Sequence, residues 1–333
     1  MADPAVHVFN GKIYIYPSHD WDAGECEDDD GGHFQMKDYH VLTLADPDQG
    51  LAEDCGVIFD VEDVPWAEKQ LWDSDVVEKN GKYYNIFSGK GYDGVFRLGV
   101  AVADKPEGPF IPQPYPIRGS FSIDPCVLKD DDGSIYTYFG GLWGGQLQWW
   151  QPLAPGFTPV IGKHGDENGL TDMGSAPTKQ DELFAHPDTP ALPSLVVKMS
   201  DDVLQFAEAP RPVVIVGDDG QPLKASDPHR FFEASWVFKR DGKYYFTYST
   251  GDSHLICYAV GDNPYGPFKY EGVILTPVVG WTTHHSIVAY QGKWYLFHHD
   301  SVPSGAKTWL RSLKVCELKW DANGKIKTIE GLD

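Results

Sequence analysis

The chain has 333 residues, with 49 acidic against 27 basic side chains and a formal charge of −22. That balance argues against nucleic acid or an anionic membrane as partner and leaves neutral substrates and cations. Hydrophobic residues at 41% and aromatics at 14% suffice for a packed core. No apolar run spans a bilayer and no secretory leader or lipidation pattern is legible. The five cysteines, Cys26, Cys55, Cys126, Cys257 and Cys316, lack metal-type spacing, so reduced thiols and a cytoplasmic location are expected.

In chain order, one phrase returns five times: Gly11-Lys12-Ile13-Tyr14, Gly81-Lys82-Tyr83-Tyr84, Gly133-Ser134-Ile135-Tyr136, Gly242-Lys243-Tyr244-Tyr245 and Gly292-Lys293-Trp294-Tyr295. Each follows a run of β-branched and aromatic residues and precedes another, the pattern of a hairpin. Eight or nine residues before each glycine stands a polar head: Asp3, Asp73, Asp124, Glu233 and His284. The heads are 70, 51, 109 and 51 residues apart. A four-stranded propeller blade takes roughly 40–50 residues, so the two gaps of 51 residues are nearly bare blades and the others carry insertions. A second echo, Asp104 to Phe110 and Asp262 to Phe268, falls late in two units, where Pro and Gly end a strand. The expectation is an all-β chain, residues 1–333 forming a single five-bladed β-propeller, with insertions and outer strands of the third and fourth blades within about 151–228. The acidic run from Glu25 to Asp30 is expected to be a solvated loop, and Asp130-Asp131-Asp132-Gly133 a hairpin turn.

Innermost strands of a propeller line its axis, so the five heads should meet at one mouth although residues 3 and 284 are far apart in sequence. Three carboxylates there, Asp3, Asp124 and Glu233, suit cleavage of a glycosidic bond. One protonated carboxyl donates to the leaving oxygen, one ionised carboxylate activates water or attacks carbon, and a third tunes the proton affinity of the first. Asp3 and Asp124 precede prolines, which is expected to hold them in extended geometry and fix their direction. Glu233 lies in Phe231-Phe232-Glu233-Ala234-Ser235-Trp236, where flanking rings desolvate it and favour the protonated acid.

Ala2-Asp3-Pro4, Ser122-Ile123-Asp124-Pro125, Phe232-Glu233-Ala234-Ser235-Trp236 and His284-His285-Ser286 resemble the motifs of glycoside hydrolase family 43, over essentially the whole length. The resemblance implies a five-bladed inverting enzyme, with Asp3 as general base, Asp124 as pKa modulator and Glu233 as general acid, the base and acid roughly 6.5–9.5 Å apart. It implies that His284 ligates a central divalent cation, Ca²⁺ first among candidates, and that Arg311, nine residues before Trp320, hydrogen-bonds sugar hydroxyls. Trp72 is a candidate stacking platform for a pentose. The family's Trp-Ala-Pro-Asp phrase is replaced by Trp72-Asp73-Ser74-Asp75, which adds negative charge at the mouth. The expected substrate is a short xylo- or arabino-oligosaccharide, trimmed from its non-reducing end by a β-1,4-xylosidase. The alternatives are an α-L-arabinofuranosidase or dual activity, an endo-arabinanase, and a binding propeller without catalysis. His19, Asp20 and Trp21 receive no role.

Overall fold

The five repeated turns set the register of the molecule. Four are two-residue loops with positive φ at both positions: Asn10-Gly11 (52° and 77°), Asn80-Gly81 (54° and 78°), Asp241-Gly242 (51° and 75°) and Gln291-Gly292 (49° and 82°). That is the requirement of a type I′ hairpin, which glycine meets at the second position without strain. The third, Asp130 to Ser134, is one residue longer and is closed by Gly133 N–H donating to the Asp130 carbonyl at 2.9 Å.

A computed structural model describes residues 1–24, 28, 30–150, 152–153, 156–157, 187–281 and 283–332. Each hairpin begins one antiparallel sheet. The first blade runs Ala2–Phe9, Lys12–Trp21, Gln35–Leu44 and Ala52–Asp60, and the second Ala67–Lys79, Lys82–Gly91, Phe96–Ala103 and Ile111–Pro112. The third has Cys126–Lys129, Ile135–Phe139, Leu195–Lys198 and Arg211–Pro212. The fourth has Glu233–Arg240, Lys243–Ser249, Ile256–Gly261 and Phe268–Leu275, with Ile215–Val216 added in parallel at its edge. The fifth has His285–Tyr290, Lys293–Asp300 and Ser312–Leu318. First strands touch in ring order, and His285–Tyr290 closes the ring on Ala2–Phe9. The described part of the 151–228 stretch supplies outer strands of the third blade and an edge of the fourth. Residues 151, 154–155 and 158–186 of it, and 25–27 and 29 of the acidic run, lie outside the described residues.

The blades are glued by aromatic rings, which offer large apolar faces with a polar tip. Phe87, Phe121, Phe139 and Phe246 are fully buried, each worth about 1.5–3 kcal/mol relative to exposure. Two tyrosines explain the second sequence echo. Tyr16 of the first blade donates to the Pro106 carbonyl at 2.8 Å, and Tyr138 of the third donates to that of Pro264 at 2.7 Å. Each proline lies in the connection between third and fourth strands of the following blade, so the repeated phrase is an inter-blade latch as well as a strand stop.

One local expectation is corrected. Asp3 and Asp124 are not extended: their φ angles are +48° and +60°. A following proline disfavours the right-handed helical region but leaves the left-handed one open, and aspartate tolerates it better than most residues. In the first blade the change coincides with a register shift between Ala2 and Ala5. The kink aims the carboxylate at the axis.

Candidate active site

The strand starts converge as the repeat requires. Asp3, Asp73, Asp124, Glu233 and His284 all line one cavity of about 430 Å³. Asp3 and Glu233 begin or nearly begin their strands, Asp124 and His284 stand just ahead of theirs, and Asp73 sits at a register irregularity between Trp72 and Ser74.

Asp124 is fixed from both sides. Its Oδ2 accepts the Ala234 N–H at 3.0 Å, which ties it to the residue after Glu233. The preceding Ser122 hydroxyl donates to the Gly145 carbonyl at 2.6 Å and accepts from Gly141 N–H at 3.0 Å. A Cβ at Gly145 would lie 2.6 Å from Ile123, so the glycine run 140–145 is a close-packed bed for the Asp124 segment.

Asp3 is held by Arg311, whose Nη1 donates to Oδ1 at 2.7 Å. The same guanidinium forks onto Asp20, with Nη2 to Oδ1 at 2.7 Å and Nε to Oδ2 at 3.1 Å. His299 Nδ1 accepts the Asp3 backbone N–H at 3.1 Å. The opposite oxygen, Asp3 Oδ2, is buried without a hydrogen-bond partner among the described residues, as is Asp124 Oδ1. Buried carboxylate oxygens of this kind need water, substrate or a cation. Arg311 thus lines the mouth with its guanidinium shared between Asp3 and Asp20, and of these contacts sequence reasoning did not supply the one to Asp20.

His284 sits amid the acids: Nδ1 is 2.6 Å from Asp73 and 3.9 Å from Asp3, and Nε2 is 3.4 Å from Asp124. Burial disfavours its charge, but the three carboxylates overcome that and hold the imidazole well above its ordinary range. Burial also opposes the charge on Asp73, yet His284 wins and keeps Asp73 ionised below the usual carboxylate range. Asp124 moves the other way, pushed well above that range by burial and then by the Asp73 charge. Burial raises Glu233 to about 7, His284 opposing and Asp73 and Asp3 adding. Burial raises Asp3 to about 6, with Arg311 holding it back. Burial is therefore the main lift on the Glu233 carboxyl, with the charges of Asp73, the head whose role the sequence left open, and of Asp3 adding to it, while Asp124 accepts a hydrogen bond from the residue after Glu233. His285, by contrast, is pushed down to about 3 by burial and by His284, and packs with Thr247 Oγ1 2.6 Å from its Nε2.

The walls are aromatic. Trp72 lines the cavity, donates to the Phe34 carbonyl at 2.9 Å and packs on Phe96 with centroids 4.6 Å apart. Trp143 and Trp281, stacked at 5.5 Å, line it as well, and Phe232 meets Trp143 edge-on. Sequence reading missed these two tryptophans, Asp20 and His299. The signals were thin: Trp143 interrupts a glycine run, Trp281 stands three residues before a head, and Asp20 and His299 are unmarked within strands. Asp28, from the acidic run expected to be merely solvated, also lines the cavity.

A family profile described as glycosyl hydrolases family 43 matches residues 50–165 and 189–326. The chain is 65% identical to a β-xylosidase of Xylanibacter ruminicola, over 99% of this chain and 97% of that protein. It is 59% identical to a xylosidase/arabinosidase of Bacteroides ovatus, over 100% and 96%. Among solved structures it is similar to a β-xylosidase/α-arabinofuranosidase from a compost microbial metagenome, in complex with xylotriose and in a calcium-free form. There the TM-score is 0.87 at 52% identity, covering 99% of this chain and 94% of that one. Motifs, five-bladed ring, converging acids and whole-length similarity agree, and the chain belongs to glycoside hydrolase family 43.

Proposed function

We propose that this chain is an exo-acting, inverting β-1,4-xylosidase that releases the terminal non-reducing pentose of short xylo-oligosaccharides. The observation that carries the reading is the meeting, in one aromatic cavity, of Asp3, held by the Arg311 guanidinium, with a buried Glu233, and burial favours the protonated form of the latter. Water attacks the anomeric carbon while Asp3 takes its proton, for which the unpartnered Oδ2 is available. The bond from that carbon to the leaving oxygen breaks, and Glu233 protonates the departing oxygen. Arg311 orients Asp3 through Oδ1 and Asp124 orients the Glu233 strand start. Trp72, Trp143 and Trp281 offer apolar faces to sugar rings and exclude bulk water. The pH dependence follows: kcat/KM rises as Asp3 loses its proton through about pH 6 and falls as Glu233 loses its own through about pH 7. These are apparent values of the coupled site.

The cluster also suits a divalent cation, calcium being the first candidate. Asp3, Asp73 and His284 bring ligand atoms within 4.8 Å of one another, as do Asp124, Glu233 and His284. The unpartnered Asp3 and Asp124 oxygens are hard donors, and Asp73 on Nδ1 would orient the His284 ring toward an ion. Bound there, a cation supplies the fixed positive charge that the His284 imidazolium supplies without it. Either form of that charge favours an ionised base.

Hydrolysis of 4-nitrophenyl β-D-xylopyranoside and 4-nitrophenyl α-L-arabinofuranoside, each with EDTA and with added Ca²⁺, tests the reading. The xyloside should have the higher kcat/KM, and no turnover of either sugar would refute it. Turnover of both at similar rates would favour dual activity, a second reading supported by the combined names of the Bacteroides ovatus and compost-metagenome relatives.

A further inference from the structure

Away from the cavity, the first blade holds a second ligand set. His19 on the strand Lys12–Trp21 faces Asp38 and His40 on Gln35–Leu44, and their ligand atoms lie within 4.8 Å of one another. His19 Nδ1 is 2.8 Å from Asp38 Oδ1, and His40 Nε2 is 3.5 Å from Asp38 Oδ2. Ligands around a tetrahedral zinc ion at about 2.0–2.1 Å are separated by roughly 3.3 Å, so both spacings suit a shared ion with small adjustment.

The surroundings point the same way. His40 Nδ1 lies 3.0 Å from both oxygens of Asp54, leaving Nε2 buried, facing Asp38, and without a hydrogen-bond partner among the described residues. A histidine whose far nitrogen is held by a carboxylate, with its near nitrogen free, is the arrangement that metal-binding histidines use. Trp21 Nε1 donates to Asp38 Oδ1 at 3.0 Å and steadies that carboxylate. The His19 side chain is 29% exposed, so an ion has a route in and water can complete the shell.

We infer that His19, Asp38 and His40 form a binding site for a divalent transition metal of the zinc class, with Asp54 as the residue that positions His40. Two imidazoles to one carboxylate favour zinc, cobalt or nickel over calcium and magnesium, which take oxygen ligands. The site is chemically distinct from the acid-rich cluster on the axis. It ties two neighbouring strands together beside Asp20, the residue that holds Arg311 against Asp3.

The test is titration of the metal-stripped full chain with Zn²⁺ by calorimetry, and with Co²⁺ by visible absorption, both in excess Ca²⁺. Wild type should bind one equivalent more than His40→Ala or His19→Ala, and the cobalt d–d bands of that equivalent should vanish in both variants. Asp54→Asn should bind the same equivalent about 10–100-fold more weakly. His284→Ala should retain it, which separates the two sites. Circular dichroism of each variant establishes that it is folded, and His40→Gln replaces His40→Ala if the latter is not. No Zn²⁺ binding in wild type, or binding unchanged in both His19→Ala and His40→Ala, would overturn the inference and leave the cluster as an imidazolium–carboxylate bridge.

Discussion

Arg311→Met is the most informative single substitution. The guanidinium is buried, with a side-chain exposure of 3%, and carries three hydrogen bonds of 2.7–3.1 Å shared between Asp3 and Asp20. Its removal leaves two buried carboxylates facing one another without their cation. Removing one partner of a buried pair costs about 3–5 kcal/mol of stability. The functional effect has a defined sign. Arg311 holds the Asp3 carboxyl down against burial, so Asp3 should take up its proton more readily in the variant. Losing an adjacent opposite charge moves a carboxyl by about 1–3 pH units, so the acid limb of the kcat/KM profile should climb from about 6 by that amount. Each pH unit below the new midpoint removes about tenfold of the ionised base. Asp20→Asn is the opposite perturbation: it removes a negative charge from beside Asp3 and leaves Arg311 to it alone, so the limb should move down. The assay is kcat/KM for 4-nitrophenyl β-D-xylopyranoside from pH 4 to 9 in both variants. If Arg311→Met loses activity by one factor at every pH, with the acid limb still near 6, then Arg311 acts only through the sugar and the argument fails.

Three further outcomes are expected. Glu233→Ala should depress turnover of xylobiose far more than that of an aryl xyloside whose leaving group needs no proton; equal losses on both would contradict the acid role. Glu233→Gln should stabilise the free protein at pH 8 but much less at pH 4. The folded pKa of about 7 lies above the ordinary 4.5, so that group's contribution is complete below about 4.5 and is lost as pH rises through about 7, by roughly 3 kcal/mol. Thermal melts at the two pH values read this directly, and equal shifts would count against a buried, reluctantly ionised Glu233. His284→Ala should abolish any effect of EDTA or Ca²⁺ on rate, and a chelator response that survives the substitution would place the cation elsewhere.

The ring was legible because its signal is repeated and local. Four of the five turns have the type I′ form, which demands particular residues, and five recurrences of the phrase force radial stacking. The heads were legible because each stands a near-constant distance before its turn, so strand phase carries them to the axis. Their mutual charges were not legible. Asp73 becomes the ionised partner of His284 only because the ring places the second and fifth blades face to face across the axis. Asp20 holds Arg311 through a contact between the first blade and the last, which local spacing does not encode. The Asp-Pro geometry was misjudged because a proline excludes one backbone region without choosing between the others. Trp143 and Trp281 come from loops, whose direction no periodicity fixes. Tyr16 and Tyr138 carry no local mark of the hydrogen bonds their hydroxyls donate to the prolines of the next blade.

The central claim is that Asp3 delivers water to the anomeric carbon while Glu233 protonates the oxygen leaving it. Its most direct test is the anomeric configuration of the first xylose released, followed by proton NMR during rapid hydrolysis of xylobiose. The account predicts that α-xylose appears first and then mutarotates. Initial release of β-xylose would mean net retention, and would require a carboxylate of this site to attack carbon itself.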